Sequence, residues 1–289
     1  MRNYPTNPKS QHPYQFYLRK SNASHKQKKY GQNFLTDVNL LNKIVTKASI
    51  TDKNVLEIGP GKGALTKIIV PQAKNVLAYE IDATLKPFLN FENHNNVNII
   101  YDDFLKRDLL KDFDHYFSPN SQLSLIGNLP YYITSPILFK IIDTPQINDA
   151  TIMIQKEVGM RLLAQPNNKN YNALSVIIQF LFSIEKIQEV KRHMFFPTPK
   201  VDSIVIKLTK NNNILPTFLK QFIKFVKNSF KQKRKTLLNN LSCQFLLSKE
   251  TIIPFFLQHH IPLQIRAEQV TLETFQKLTV KWFIFLNMS

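Results

Sequence analysis

Three of the chain's six glycines fall within five residues, Gly59-Pro60-Gly61-Lys62-Gly63, directly after the apolar run Val55-Leu56-Glu57-Ile58. A short buried-type strand that breaks into such a turn and continues as a helical stretch from Ala64 is the opening of a βαβ unit. Side chains are removed where a ligand must approach the backbone. The expected fold is therefore a doubly wound α/β sheet with its ligands beyond the carboxyl ends of the strands. The next run, Val76 to Ile81, carries Glu80 at the distance where such folds place an acid on a ribose hydroxyl pair, although a solvated strand-end glutamate reads the same way. The glycines alone do not choose the ligand. A dinucleotide needs its pyrophosphate at a helix N-terminus, whereas a nucleoside with an amino-acid tail needs carboxylate and ammonium partners.

A third strand, Val97 to Tyr101, ends at Asp102-Asp103-Phe104, where a carboxylate suits an adenine amine and equally suits a helix cap. The fourth, Leu123 to Ile126, ends in Gly127 and leads into Asn128-Leu129-Pro130-Tyr131. An amide oxygen and the carbonyls of the Leu-Pro turn accept both protons of an aromatic amine, and Tyr131 offers a face for stacking. Two such acceptors draw the amine lone pair out of the ring, so no general base is needed. A plain proline turn is the competing reading. Ala150 to Gln155 forms a fifth strand, followed by a helix with Val158, Leu162 and Leu163, a polar loop (Pro166 to Asn170) and an apolar helix from Ala173. Glu185 to Arg192 and Ser203 to Leu208 alternate as an antiparallel pair. Between them, Phe195 and Phe196 precede Pro197, and the residues alone favour core positions for both rings. Upstream, Tyr30 to Leu35 leads into a helix capped at Thr36 or Asp37, with Leu40, Leu41, Ile44 and Val45 on one stripe.

The formal net charge is +18 over 289 residues, which points to a polyanionic partner. Nucleic acid is favoured over a membrane, because no apolar segment is long enough to span one. The single Cys243 excludes an internal disulfide and a cysteine-cluster metal site, and His259-His260 has no partner cluster. Residues 1–29 hold Pro5, Pro8 and Pro13 and no acid, and are expected to form a disordered basic arm. A mitochondrial transit peptide is the alternative. A polar break at Lys210 to Asn213 sets the expected division into the arm (1–29), a catalytic domain (30–210) and a helical RNA-binding domain (211–289). In the last, Phe222, Val226 and Phe230 share a helix face, and Lys231, Lys233, Arg234 and Lys235 form a dense cluster suited to phosphates.

These pieces together resemble the small-subunit rRNA adenine N6,N6-dimethyltransferases of the KsgA/RsmA type. The resemblance runs from about Lys28 to the C-terminus. It rests on Tyr30 to Leu35, Glu57 to Thr66, Glu80, Asp103, Asn128 to Tyr131, Phe195 to Ser203, Phe230 to Leu241 and Arg266-Ala267-Glu268. It implies a class I methyltransferase (Rossmann-like) fold: a mostly parallel seven-stranded sheet with an antiparallel strand, plus a small all-α C-terminal domain.

The resemblance further implies S-adenosylmethionine as methyl donor and no metal. Asn33 and Leu35 would cover the donor, Gly59 and its neighbours would hold its methionine end, Glu80 its ribose and Asp103 its adenine amine. Asn128, with the Leu129 and Pro130 carbonyls, would accept from the target amine, with Tyr131 and Phe195 flanking the flipped base. Phe196 stands where many members are small. The implied substrate is a pair of adjacent adenosines in the 3′-terminal hairpin loop of small-subunit rRNA, modified late in subunit assembly by a cytoplasmic monomer. The pre-ribosomal small subunit would be the partner. Two readings compete: a large-subunit rRNA enzyme that confers antibiotic resistance, and a non-catalytic assembly or mitochondrial transcription factor on the same fold.

Overall fold

The computed structural model describes residues 32–211 and 214–288. The arm at 1–29 and part of the polar break, Asn212 and Asn213, lie outside these residues. The chain opens on β1 (Phe34–Leu35) and α1 (Val38–Ala48), whose cap is Asp37, its carboxylate accepting from the Leu40 N–H at 2.8 Å. The α1 stripe Leu40, Leu41, Ile44 and Val45 is buried as its spacing requires. The central β2 (Asn54–Ile58) leads through the glycine turn into α2 (Thr66–Ile69). This helix starts later than the expected Ala64, because Gly63 at φ +76° places the preceding backbone in the left-handed region.

Next come β3 (Asn75–Tyr79), β4 (Val97–Ile100), α3 (Leu109–Tyr116), β5 (Leu123–Asn128), α4 (Thr134–Ile142) and β6 (Ile147–Gln155). They are followed by α5 (Lys156–Leu162), α6 (Ala173–Leu181), β7 (Phe182–Val190), β8 (Phe195–Phe196) and β9 (Ser203–Lys210). Seven strands form one sheet in the order β4-β3-β2-β5-β6-β9-β7. The first five are parallel, and β9 runs antiparallel to both β6 and β7. Alternation along the strands divides the core. Leu56, Leu77, Leu125, Ile152 and Ile204 face one layer, while Val55, Val76, Ile126, Met153 and Val205 face the layer closed by α1.

The remaining helices are α7 (Pro216–Ser229), α8 (Leu237–Phe245), α9 (Lys249–Gln258) and α10 (Leu272–Met288). Of these α7 packs on α6 through aromatic rings, with Phe180 and Phe222 centroids 4.1 Å apart, and rings from α7, α8, α9 and α10 gather on the fully buried Trp282. Their apolar side chains are continuous with the first layer of the sheet core. Because β3 and β4 lie on one side of β2 and β5 and β6 on the other, the strand order reverses at β2. The loops after β2, β3 and β5 therefore open into one crevice.

Candidate functional site

The crevice is a cavity of about 500 Å³ at the carboxyl ends of β2, β3 and β5, within the range of small-molecule sites. Gly59, Gly61 and Gly63 all have positive φ, so the turn after β2 folds back tightly over the strand ends. At Gly61 a Cβ would lie 3.0 Å from the Phe34 ring, and its N–H donates to Glu80 Oε2 at 2.9 Å. Glu80 Oε1 accepts from the Asp82 N–H, also at 2.9 Å. Its carboxylate is 3% exposed, and burial raises its pKa against the lowering effect of these two donors. The carboxylate is acceptor-only and lines the cavity, which suits it to a ligand's hydroxyls.

Glu57 is the functional residue that motif spacing did not single out. It lines the same cavity, is 1% exposed, and both its oxygens lack a hydrogen-bond partner among the described residues, as does the neighbouring Thr66 hydroxyl. Burial pushes the Glu57 carboxyl up to about 8, with the nearby Thr66 hydroxyl opposing the shift and the Glu80 charge adding to it. A buried carboxylate left open in this way is costly unless a ligand donor or cation meets it. The signal was present in the sequence as a lone acid in an apolar strand.

The far wall is built from the β4–α3 loop. Asp102 and Asp103 line the cavity, and Phe104 is buried edge-on against Tyr79 with centroids 5.4 Å apart. Neither acid caps α3; Asp108 does so. Instead, Asp103 Oδ1 accepts from the Leu105 N–H at 3.0 Å, which fixes the carboxylate at the turn. Lys140 of α4 clamps the loop from behind, donating to the carbonyls of Phe104 (2.7 Å), Leu105 (3.0 Å) and Arg107 (2.7 Å).

Asn128 ends β5 at the cavity, and its side-chain nitrogen donates to the Asn33 carbonyl at 3.0 Å. That bond orients the amide, leaving Oδ1 as an acceptor with no donor among the described residues. The Leu129 N–H is tied to the Met153 carbonyl at 3.0 Å, and nothing among the described residues donates to the Leu129 carbonyl. Pro130 differs from expectation. Its carbonyl already accepts from the Ile133 N–H (3.2 Å) and the Thr134 hydroxyl (3.1 Å) at the start of α4, so it is not an open acceptor. Tyr131 is half-buried, and its hydroxyl shares a hydrogen bond with Ser203 that sets the plane of the ring.

Asn33 and Leu35 both line the cavity, on the segment that crosses over it. Phe195 does not. It pairs with Leu35 in the β1–β8 ribbon, is 3% exposed, and packs in the layer closed by α1 with Met153 and Val205. The ring expected to flank a base is thus a core residue, as its apolar surroundings require, and its neighbour Phe196 is the exposed one.

Lys231, Lys233, Arg234 and Lys235 are all exposed on the turn between α7 and α8. Buried Asn240 shapes that turn by accepting from the Gln232 N–H (2.9 Å) and donating to the Gln232 carbonyl (3.1 Å). A second cavity of about 510 Å³ lies beside it, lined by Arg161, Lys169, Lys227, Lys233 and Lys235 against two acids, Glu157 and Glu268. Helix α4 separates the two cavities: Ile133 and Ile137 face the first, Ser135 and Phe139 the second. Among the described residues no cluster of side chains suits a metal ion, and no helix is long and apolar enough to cross a membrane.

The sequence profile described as Ribosomal RNA adenine dimethylase matches residues 23–282. The Ribosomal RNA small subunit methyltransferase A of Onion yellows phytoplasma (strain OY-M) is 97% identical over 262 residues, covering 91% of this chain and 98% of that protein. Among solved structures, the chain is similar to a dimethyladenosine transferase from Plasmodium falciparum, with TM-score 0.73 and 26% identity over 87% of this chain and 98% of that one. It is also similar to the 23S rRNA methyltransferase ErmE, with TM-score 0.65 and 25% identity over 86% and 99% of the two chains.

Proposed function

The chain belongs to the ribosomal RNA adenine dimethylase family, and from that premise we propose that it dimethylates the N6 amines of two adjacent adenosines in the 3′-terminal hairpin loop of small-subunit rRNA. The methyl donor in this reading is S-adenosylmethionine, the partner is the assembling small subunit late in its biogenesis, and the protein acts as a cytoplasmic monomer. The observation that carries it is the oriented amide of Asn128. With its nitrogen held by Asn33, its oxygen and the open Leu129 carbonyl form a pair of acceptors at the mouth of a nucleoside-sized pocket.

The residues present suit the donor. Open Glu57 matches an ammonium group, Glu80 a pair of ribose hydroxyls, and Asp103 an exocyclic amine, while Asn33 and Leu35 cross over the cavity. When bound, the donor supplies an electrophilic methyl on a sulfonium. The protein's part is alignment and electrostatics. An adenine amine is nearly planar and weakly nucleophilic. Acceptors at Asn128 Oδ1 and the Leu129 carbonyl favour the tetrahedral, positively charged nitrogen over the planar one, and Tyr131 offers the face on which the extruded base stacks. Extrusion costs a few kcal/mol and is least costly in a loop. The phosphate backbone then has a place to go. The lysine-lined cavity lies across α4 from the cavity that holds the acceptor loop.

The test is transfer of labelled methyl to unmethylated small subunits, with the modified bases identified by mass spectrometry. Wild type is expected to yield dimethyladenosine in the 3′ hairpin. Asn128→Ala is expected to lower kcat by about 100- to 1000-fold, as for removal of one preorganised polar group at a reacting centre. A wild-type protein that binds subunits and transfers nothing would replace this reading with that of an assembly factor.

A further inference from the structure

The β1–β8 ribbon places two phenylalanines on opposite sides of the rim. Register pairs Leu35 with Phe195 and Phe34 with Phe196, and successive side chains of a strand face opposite ways. Phe195 is therefore in the core and Phe196 is 72% exposed. Its cross-strand neighbour Phe34 lines the cavity, so Phe196 shares a ribbon face with a wall of the pocket that holds Asn128. Other exposed apolar groups on that rim are Val38 and Tyr132, both lining the cavity.

The segment that carries Phe196 is braced. Asp202 accepts from the Arg192 N–H at 3.0 Å and pairs with Lys191 at 3.1 Å. Arg192 reaches the Lys200 carbonyl at 3.4 Å, and Ser203 is bonded to Tyr131. An outward ring on a loop braced by Arg192 and Lys200 brings the two elements that hold single-stranded nucleic acid into one segment: an aromatic face for a base and cations for its phosphates.

We propose that Phe196 is a stacking platform for the nucleotide next to the target adenosine, so that the enzyme grips the RNA at two bases, one extruded into the pocket and one held on the rim. This rests on the rRNA reading above and adds a positioning residue to it. The cationic surroundings favour RNA over a protein partner.

The experiment compares wild type with Phe196→Ala and Phe196→Trp. Phe196→Ala is expected to raise KM for unmethylated subunits by about 5- to 150-fold, the cost of losing one base stack, with kcat, donor affinity and Tm close to wild type. Phe196→Trp is expected to restore KM, and its fluorescence to be quenched by a hairpin-loop RNA. Trp282 is fully buried and out of contact with RNA, so wild type supplies the background against which the new indole is read. An unchanged KM in Phe196→Ala, or a parallel loss of donor affinity and Tm, overturns the proposal while leaving the reaction standing. Quenching by RNA in a protein whose wild type methylates nothing would uphold the platform and remove the reaction. A Trp signal unmoved by RNA but moved by ribosomal protein would assign the ring to a protein contact instead.

Discussion

Glu57 sits in a strand where its neighbours Val55, Leu56 and Ile58 are all buried, and it holds its place there in the ligand-free protein as a neutral acid. Its carboxyl titrates near 4.5 in the unfolded chain and at about 8 in the folded one. Between those values the folded protein keeps a proton that the unfolded chain has released, so stability falls as pH rises, by at most about 1.4 kcal/mol per pH unit, and levels off above the folded value. Glu80, also raised by burial, tilts the curve in the same direction. Glu57→Gln is therefore expected to flatten the pH dependence of Tm in the ligand-free protein without abolishing it. A cationic amine next to Glu57 draws off its proton. Near neutrality, donor binding measured by calorimetry in buffers of different ionisation enthalpy should show release of up to one proton, and Glu57→Gln should lose most of it while binding the donor more weakly. The acid was visible in the sequence, but its burial beside Glu80 and Thr66 was not, because that depends on how β3 and α2 pack around it.

The elements that shape the site differ in how local their signals are. The glycine turn, Glu80 and Asn128 follow strands whose apolar runs are complete within a few residues, so sequence alone placed all three at strand ends. The Pro130 carbonyl was misplaced because its lone pairs go to α4, whose start at Thr134 shows in contacts rather than in composition. Phe196 was misplaced: the residues alone favoured core positions for both rings, and which of the two faces out is set by the ribbon register to Phe34 and Leu35, far away in the chain. Sheet order was likewise beyond local reading. The insertion of β9 between β6 and β7 is a long-range choice. Two close approaches hold these elements together. A Cβ on Gly127 would lie 2.6 Å from the Ile58 carbonyl, so Gly127→Ala must separate β2 from β5 at the pocket floor. It is expected to cost about 1–3 kcal/mol, read as a fall in Tm together with weaker donor binding. Lys140→Met removes three bonds to the β4–α3 loop. It should loosen Asp103 and weaken the donor several-fold, while Glu80, on another loop, keeps its two N–H donors.

At the scale of the whole molecule, charge and architecture divide the labour. A net charge of +18 gives attraction to any polyanion, but attraction without geometry does not select a nucleotide. The fold supplies the geometry by packing α7 to α10 against α6, which sets the cationic turn opposite Lys169 and leaves a cleft on the far side of α4 from the acceptor pair. Phosphates held in that cleft release counterions, so the logarithm of the affinity for a small-subunit hairpin should fall linearly with the logarithm of salt concentration. Lys233 and Lys235 line the cleft and neither lines the donor pocket. Changing both to Ala should lower the salt slope by about 1.4 to 1.8, two contacts at roughly 0.7 to 0.9 each, while donor affinity stays constant. A slope that does not change would mean that the backbone runs elsewhere on the basic surface. An equal loss of donor binding would mean that α4 transmits strain between the cavities. The buried Asn240 separates these outcomes further. Asn240→Ala removes the side chain that shapes the turn but leaves every cation in place. If it weakens RNA binding as much as the double lysine change while preserving the salt slope, then the arrangement of the lysines, rather than their number, carries the selectivity.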